Sequence, residues 1–273
     1  MRGAMPVEPL LEARDVVRVF PGGGWLARRP ALRAVDGVSL SIAPGETVAV
    51  VGESGSGKST LGRMLLGLDR PDQGCIAYRG VDVASLDDAA RRRFRAEVQV
   101  VFQDSGTSLN PRRSIAGSLG VPLRHNLGLG RAEARVRIDA LLERVGLEPA
   151  QFRDRLPHEL SGGQRQRVGI ARALASNPRV IIADEPVSAL DVSVRAHVLR
   201  LLRDLQRQDG LACLFITHDL GVVRAIADRV VVLYRGRIVE QGVTSQVMSG
   251  PAHAYTRTLL AAVPHPIRQE APP

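Results

Sequence analysis

Between an apolar run, Thr47-Val48-Ala49-Val50-Val51, and a helical stretch from Lys58 to Gly67 lies the segment Gly52-Glu53-Ser54-Gly55-Ser56-Gly57-Lys58-Ser59-Thr60. Gly52 to Ser59 fit G-x-x-x-x-G-K-[ST], a loop whose backbone N–H groups cradle phosphates while its Lys reaches the β- and γ-phosphates of a nucleotide. A strand before it and a helix after it put the anion on a helix N-terminus, where unpaired N–H groups and the helix dipole favour negative charge. Lys58 is the only lysine in the chain, and every other basic residue is arginine. Arg carries a wide planar fork, whereas Lys ends in a compact ammonium that fits between two phosphates. Ser59 is expected to offer its hydroxyl to Mg²⁺, and Thr60 to add a polar contact toward the α-phosphate.

The chain of 273 residues can form one large or two small domains with a full core. It has no run approaching 18 apolar residues, and Met1 to Pro6 lack the apolar core of a signal peptide, so the protein is expected in the cytosol. Cys75 and Cys213 stand apart in apolar stretches and read as buried small hydrophobes. The net charge of +9 suits nucleic acid, an anionic membrane surface or no specific partner. The densest basic run, Arg91-Arg92-Arg93-Phe94-Arg95, sits in a helical pattern from about Ser85 and reads as a solvated helix face. Only 3% of the residues are aromatic, which argues against a base-stacking surface and against a nucleic-acid partner.

Along the chain strands and helices alternate. Continuous apolar runs at Val180–Ala183, Leu211–Ile216 and Val230–Leu233 suit strands of a largely parallel sheet covered on both faces. Val194, Val198, Leu201, Leu202 and Leu205 share a helix face that Gly210 ends. The stretch from about 96 to 165 reads as an inserted, mostly helical subdomain. Beyond Gly242 two short helical patterns precede a tail with Pro264, Pro266, Pro272 and Pro273. The strand at Val180 ends in Asp184-Glu185, where the first carboxylate can hold Mg²⁺ and the second can act as general base on an attacking water.

Leu160-Ser161-Gly162-Gly163-Gln164 offers a hydroxyl and bare N–H groups at the start of another helix, a second surface for an anion. With this pentapeptide the chain resembles the ATP-binding cassette (ABC) family over nearly all of its length. The resemblance implies an α/β fold: a P-loop NTPase core with a largely parallel sheet, an antiparallel β subdomain and the inserted helical subdomain. It implies an ATPase domain at 1–242 and a C-terminal extension at 243–273.

It further implies that ATP and Mg²⁺ bind between two such subunits arranged head to tail. Ser161, Gly162, Gly163 and Gln164 of one subunit then cover the nucleotide held by the other. Gln103 would contact Mg²⁺ and the water and report to membrane subunits. Asp191, in Ser188-Ala189-Leu190-Asp191, would line the dimer seam, and His218 would touch the γ-phosphate. The remaining histidines, His125, His158, His197, His253 and His265, read as surface residues. Phe20 matches the position of the adenine-stacking aromatic, with Trp25 as the alternative.

Val101-Phe102-Gln103-Asp104, Leu109-Asn110-Pro111-Arg112 and Pro251 to Leu260 are similar to the oligopeptide, dipeptide and nickel importer group. The C-terminal cysteine cluster found in some of that group is absent, so no iron-sulfur centre is expected. The implied partners are two membrane permease subunits, a second ATPase that is a paralogue or a second copy, and indirectly an extracytoplasmic binding protein. The implied place is the cytoplasmic face of the inner membrane. The alternative is a soluble ABC-type ATPase acting on nucleic acid or ribosomes.

Overall fold

The computed structural model describes residues 8–22, 31–103, 109–188 and 190–262. Trp25, Ala189, His265 and the four prolines of the tail lie outside the described residues.

The chain opens with β1 (Leu11–Phe20), β2 (Leu32–Ile42) and β3 (Thr47–Val51), followed by α1 (Lys58–Leu65), β4 (Gln73–Tyr78), β5 (Val81–Asp82), α2 (Asp88–Glu97) and β6 (Val98–Val101). Four helices come next: α3 (Ile115–Leu127), α4 (Arg131–Arg144), α5 (Pro149–Phe152) and α6 (Gly162–Leu174). The chain then alternates through β7 (Val180–Asp184), α7 (Val192–Asp209), β8 (Ala212–Thr217), α8 (Leu220–Ile226), β9 (Arg229–Tyr234) and β10 (Arg237–Val243). It ends, among the described residues, in α9 (Thr244–Ser249) and α10 (Ala254–Ala261).

Two sheets result. Strands β2-β1-β4-β5 form an antiparallel sheet, while the larger sheet has the order β10-β9-β3-β8-β7-β6. Its strands β9, β3, β8, β7 and β6 run parallel, and only β10 at the edge is antiparallel. All residues of β3 and β8 are buried. This is why their sequences show continuous apolar runs rather than alternation. Parallel pairing also sends the carboxyl ends of β3, β8 and β7 to one edge, so the segments that follow them share a single face.

The stretch from about 96, expected to be mostly helical, opens with β6, which pairs with β7 and precedes Gln103. Val98 and Val101 are buried in the sheet, and the helices start only after this strand. Together α3 to α6 form an enlarged crossover between two neighbouring strands. Leu119, Leu123, Leu142 and Ile170 are fully buried in a shared core, and cutting any of these leucines to Ala would cost about 2–5 kcal/mol. Local signals set the helix ends. Ser114 Oγ accepts from Gly117 N at 3.1 Å to cap α3, and Asp191 Oδ1 accepts from Val194 N at 3.0 Å to cap α7. Gly210, at φ 62, ends α7.

The basic run lies on α2 with Phe94 turned into the core and Arg92, Arg93 and Arg95 exposed. Cys213 is buried, and burial pushes its thiol up to about 12. Cys75 differs from expectation: it is only partly buried, because it lies on β4 next to the partly exposed start of that strand. His253 also departs from a plain surface role, since its Nδ1 accepts from Tyr255 N at 3.1 Å and caps α10.

Candidate nucleotide site

The loop leaving β3 is held on two sides before any ligand is considered. Gly57 sits at φ 106, and a Cβ there would stand 2.1 Å from the Ala34 carbonyl oxygen. Gly52, at φ 155, would put a Cβ 2.2 Å from the Leu233 carbonyl oxygen. Both positions therefore need glycine for conformation and for space. Gly236 N donates to the Ser56 carbonyl at 2.9 Å, and Asp36 N donates to the Gly236 carbonyl at 2.8 Å. The loop is thus wedged between the antiparallel sheet and the β9–β10 turn.

Lys58 is only 6% exposed. Its Nζ donates to the Gly52 carbonyl at 2.6 Å and to the Glu53 carbonyl at 2.8 Å. Burial pushes its pKa down, and the negative charges of Glu185, Asp184 and Glu53 pull against that. The ammonium is held by two neutral carbonyl oxygens, and charged phosphate oxygens are stronger acceptors for it. Glu53, Ser54, Gly55 and Ser59 are exposed, while Ser56 is buried and Thr60 half-buried.

Ser59 Oγ donates to Asp184 Oδ1 at 3.4 Å. Burial pushes the Asp184 carboxyl up, the Ser59 hydrogen bond lowers it, and the adjacent Glu185 charge adds to the rise. A hydroxyl and a carboxylate are hard oxygen donors of the kind that suit Mg²⁺. Glu185 is a non-glycine residue in left-handed backbone at φ 46. Its N–H donates to the Ile216 carbonyl at 2.9 Å, tying the end of β7 to β8. His218, which follows β8, has Nδ1 3.2 Å from Glu185 Oε1. Lys58, Ser59, Asp184, Glu185 and His218 are therefore drawn to one edge of the larger sheet.

Of the other expected residues, Gln103 follows β6, which runs parallel beside β7, while Phe20, the Ser161–Gln164 segment and Asp191 belong to other elements. Gln103 is exposed just after β6, next to Phe102, whose carbonyl accepts from Gln166 Nε2 at 3.3 Å. Gln166, buried on α6, links the crossover helices to this segment, and the sequence reading had not singled it out. Phe20, 39% exposed, ends β1 with the Arg18 guanidinium 5.3 Å from its ring centre. Its alternative, Trp25, is outside the described residues, so the structure does not compare the two.

At the start of α6, Ser161 Oγ accepts from Gln164 N at 3.3 Å and Gln164 Oε1 accepts from Ser161 N at 2.9 Å. This reciprocal cap uses polar groups of the motif on the helix itself. Gly162 faces open space, whereas a Cβ on Gly163 would stand 2.3 Å from Val194 Cγ1, so Gly163 is a packing contact between α6 and α7. Asp191 is exposed, and hydrogen bonds from Val194 N and then from the Ser193 hydroxyl hold its carboxyl below the usual range.

One contact with the loop was missed in the sequence. Glu53 N donates to Tyr255 Oη at 2.9 Å, joining the loop to α10 across the length of the chain.

A profile of the ABC transporter family matches residues 35–188, more than half of the chain. The chain belongs to the ABC transporter family. It is similar to the dipeptide transport ATP-binding protein DppF of Haemophilus influenzae, with 49% identity over 94% of this chain and 78% of that protein. The oligopeptide transport ATP-binding protein AppF of Bacillus subtilis is 48% identical over 94% of this chain and 79% of its own length. The glutathione import ATP-binding protein GsiA of Salmonella typhimurium is 52% identical over 94% of this chain, which spans only 41% of that longer protein.

Among solved structures, the dimeric post-hydrolysis state of the ATP-binding cassette MJ0796 bound to ADP and Pi aligns with a TM-score of 0.76 at 32% identity, covering 86% of this chain and 98% of that one. CbiO1 from Clostridium perfringens, part of the transporter complex cbiONQ, aligns with a TM-score of 0.77 at 29% identity, covering 89% and 92%. The chain is thus an ATP-binding ATPase with the ABC fold read from its motifs. Its relatives are transport subunits, which leaves the reading as a nucleic-acid or ribosome ATPase without support. None of the described helices is long and apolar enough to cross a membrane.

Proposed function

We propose that this chain is the ATP-hydrolysing subunit of a peptide importer, acting at the cytoplasmic face of the inner membrane on two separate permease subunits. The observation that carries the reading is the convergence of Lys58, Ser59, Asp184, Glu185 and His218 at the carboxyl ends of neighbouring strands. The names of the peptide and glutathione transport relatives support peptides over nickel as the cargo class. Residues 1–242 form the ATPase domain in this reading, and the segment from 243 is an extension.

Each role follows from position and chemistry. The Gly52–Thr60 loop binds the triphosphate through N–H groups, and Lys58 neutralises charge on the β- and γ-phosphates. Mg²⁺ supplies further neutralisation when bound with ATP, and Ser59, Asp184 and Gln103 are the residues that would hold it. Glu185 takes a proton from the attacking water, while His218 stands against Glu185 and reaches toward the γ-phosphate. Phe20 provides a face for adenine. Ser161, Gly162, Gly163, Gln164 and Asp191 serve the nucleotide of a second ATPase subunit, so hydrolysis requires a pair. Gln103 and the crossover helices carry the state of the site to the permeases.

The test begins with purification of the full chain from its native membrane and identification of what accompanies it. The isolated assembly is then reconstituted in vesicles with its binding protein, and ATP-driven uptake of a labelled dipeptide, an oligopeptide, glutathione and Ni²⁺ is compared. Two permeases and peptide accumulation are the expected result. Copurification with ribosomes or nucleic acid in place of permeases would sink the proposal, and uptake of Ni²⁺ alone would move the cargo class to metal.

A further inference from the structure

We propose that Tyr255, on the C-terminal helix α10, is a positioning residue for the phosphate-binding loop, so that the extension takes part in nucleotide binding. The inference rests on the reading of Gly52–Thr60 as the nucleotide site. One planar amide carries the argument. The Gly52–Glu53 peptide unit has its N–H bonded to Tyr255 Oη at 2.9 Å and its carbonyl bonded to Lys58 Nζ at 2.6 Å. A hydrogen bond to the N–H side of an amide polarises its carbonyl, and it fixes the direction in which that carbonyl points. Tyr255 therefore sets the orientation of the group that holds the Lys58 ammonium.

The tyrosine is itself held from several directions. Its ring lies on that of Tyr234, with centroids 4.2 Å apart and planes tilted by 37°. Tyr234 ends the strand whose preceding residue, Leu233, walls the loop at Gly52. Glu240 on β10 accepts from Ala252 N at 2.7 Å and from His253 N at 3.1 Å, which fastens the chain just before α10. Burial works to raise the Glu240 carboxyl, but the nearby Thr256 side chain and the hydrogen bonds from these two N–H groups hold it below the usual range. Tyr255, Leu259 and Leu260 pack against a core that contains Ala49 and Val51 of β3. The extension thus grips both the strand that enters the loop and the first amide of the loop. A preformed loop binds better because less ordering is left to do when the ligand arrives.

The test is Tyr255→Phe in the full chain, which removes the hydroxyl and keeps the stacked ring. Loss of one neutral hydrogen bond predicts about a fivefold rise in the KM for ATP and in the Kd for ADP. Turnover at saturating ATP should stay within about twofold, because the general base and its water are untouched. Thr258→Val on the exposed side of the same helix should leave both constants at parent values, and Tm should fall by no more than about 4 °C in either variant. Parental nucleotide constants in Tyr255→Phe would overturn the proposal. So would a loss shared equally by Thr258→Val, or one accompanied by a fall in Tm well beyond that of a single hydrogen bond. Lys58→Ala separates the two readings: if it still binds ATP normally, the loop is not the nucleotide site. If it loses ATP while Tyr255→Phe does not, only the role of Tyr255 fails.

Discussion

His218 Nδ1 stands 3.2 Å from Glu185 Oε1, and the two residues follow adjacent strands of the same sheet. The imidazole limits the directions open to the carboxylate, so in its proposed role as base Glu185 would be aimed before a substrate arrives. Glu185→Gln keeps shape and removes the charge. ATP affinity should hold while hydrolysis falls by about 10²- to 10⁴-fold. Single-turnover ATP hydrolysis measured beside equilibrium binding checks this, and parental turnover would pass the role of base to His218.

Lys58→Arg should fail despite keeping the charge. The ammonium occupies a 6% exposed site with carbonyl oxygens at 2.6 and 2.8 Å, and a planar guanidinium is too wide to replace it. Calorimetric titration with ATP should show affinity reduced about tenfold or more, as expected for loss of a charge-assisted bond. Near-normal affinity would mean that the loop accepts any cation.

Acid should loosen the junction of the two sheets. The Tyr78 hydroxyl donates to Glu97, which also pairs with Arg79 at 2.8 Å and Arg93 at 2.9 Å. Burial, followed by the bond to Glu97, pushes Tyr78 up to about 12. Burial opposes the Glu97 charge, yet hydrogen bonds from Tyr78 and Arg93 hold its carboxyl below the ordinary 4.5. A depressed folded value stabilises the fold above the unfolded value and loses that stabilisation as the pH falls through the folded one. The Tm advantage of the parent over Glu97→Gln should therefore be full at neutral pH and shrink below pH 4.5. A gap that does not change with pH would remove the carboxylate from this account.

Charge reversal of both Arg112 and Arg113 tests the proposed coupling to the permeases. Both are exposed beside a turn in which Asn110 Oδ1 accepts from Arg112 N at 2.9 Å. The turn lies between Gln103 and α3, where a contact could bias the crossover helices from outside. ATP affinity should stay within a few-fold while copurification with permeases or transport weakens. Unchanged assembly and transport would put the docking surface elsewhere, and lost ATP affinity would assign the turn to the nucleotide site.

The parts of the candidate site made from contiguous residues could be located in the sequence, because a glycine-rich loop, a strand-end acidic pair and a capped helix each carry their pattern within a few positions. The covered strands were legible for the same reason, and Gly210 marked the end of α7 one residue beyond its last turn. The bounds of the strand before Gln103, Val98–Val101, were harder to set, since four residues beside a basic helix give too little periodicity to mark where strand replaces helix. Tyr255 and Gln166 depended on tertiary placement: one reaches Glu53 from the far end of the chain, and the other reaches the Phe102 carbonyl from α6. Gly163 shows a further limit. Its motif suggests a nucleotide contact, while its lack of a side chain also answers to Val194 on the next helix.

A chain with one lysine side chain gives amine chemistry a single side-chain address. Lys58 is nearly covered, and its ammonium is bonded to two carbonyls of its own loop. An acylating reagent would therefore mark this side chain slowly, and a bound triphosphate would shield it further. The extent of acylation at one peptide then becomes a footprint of site occupancy, free of the background that a lysine-rich surface would add.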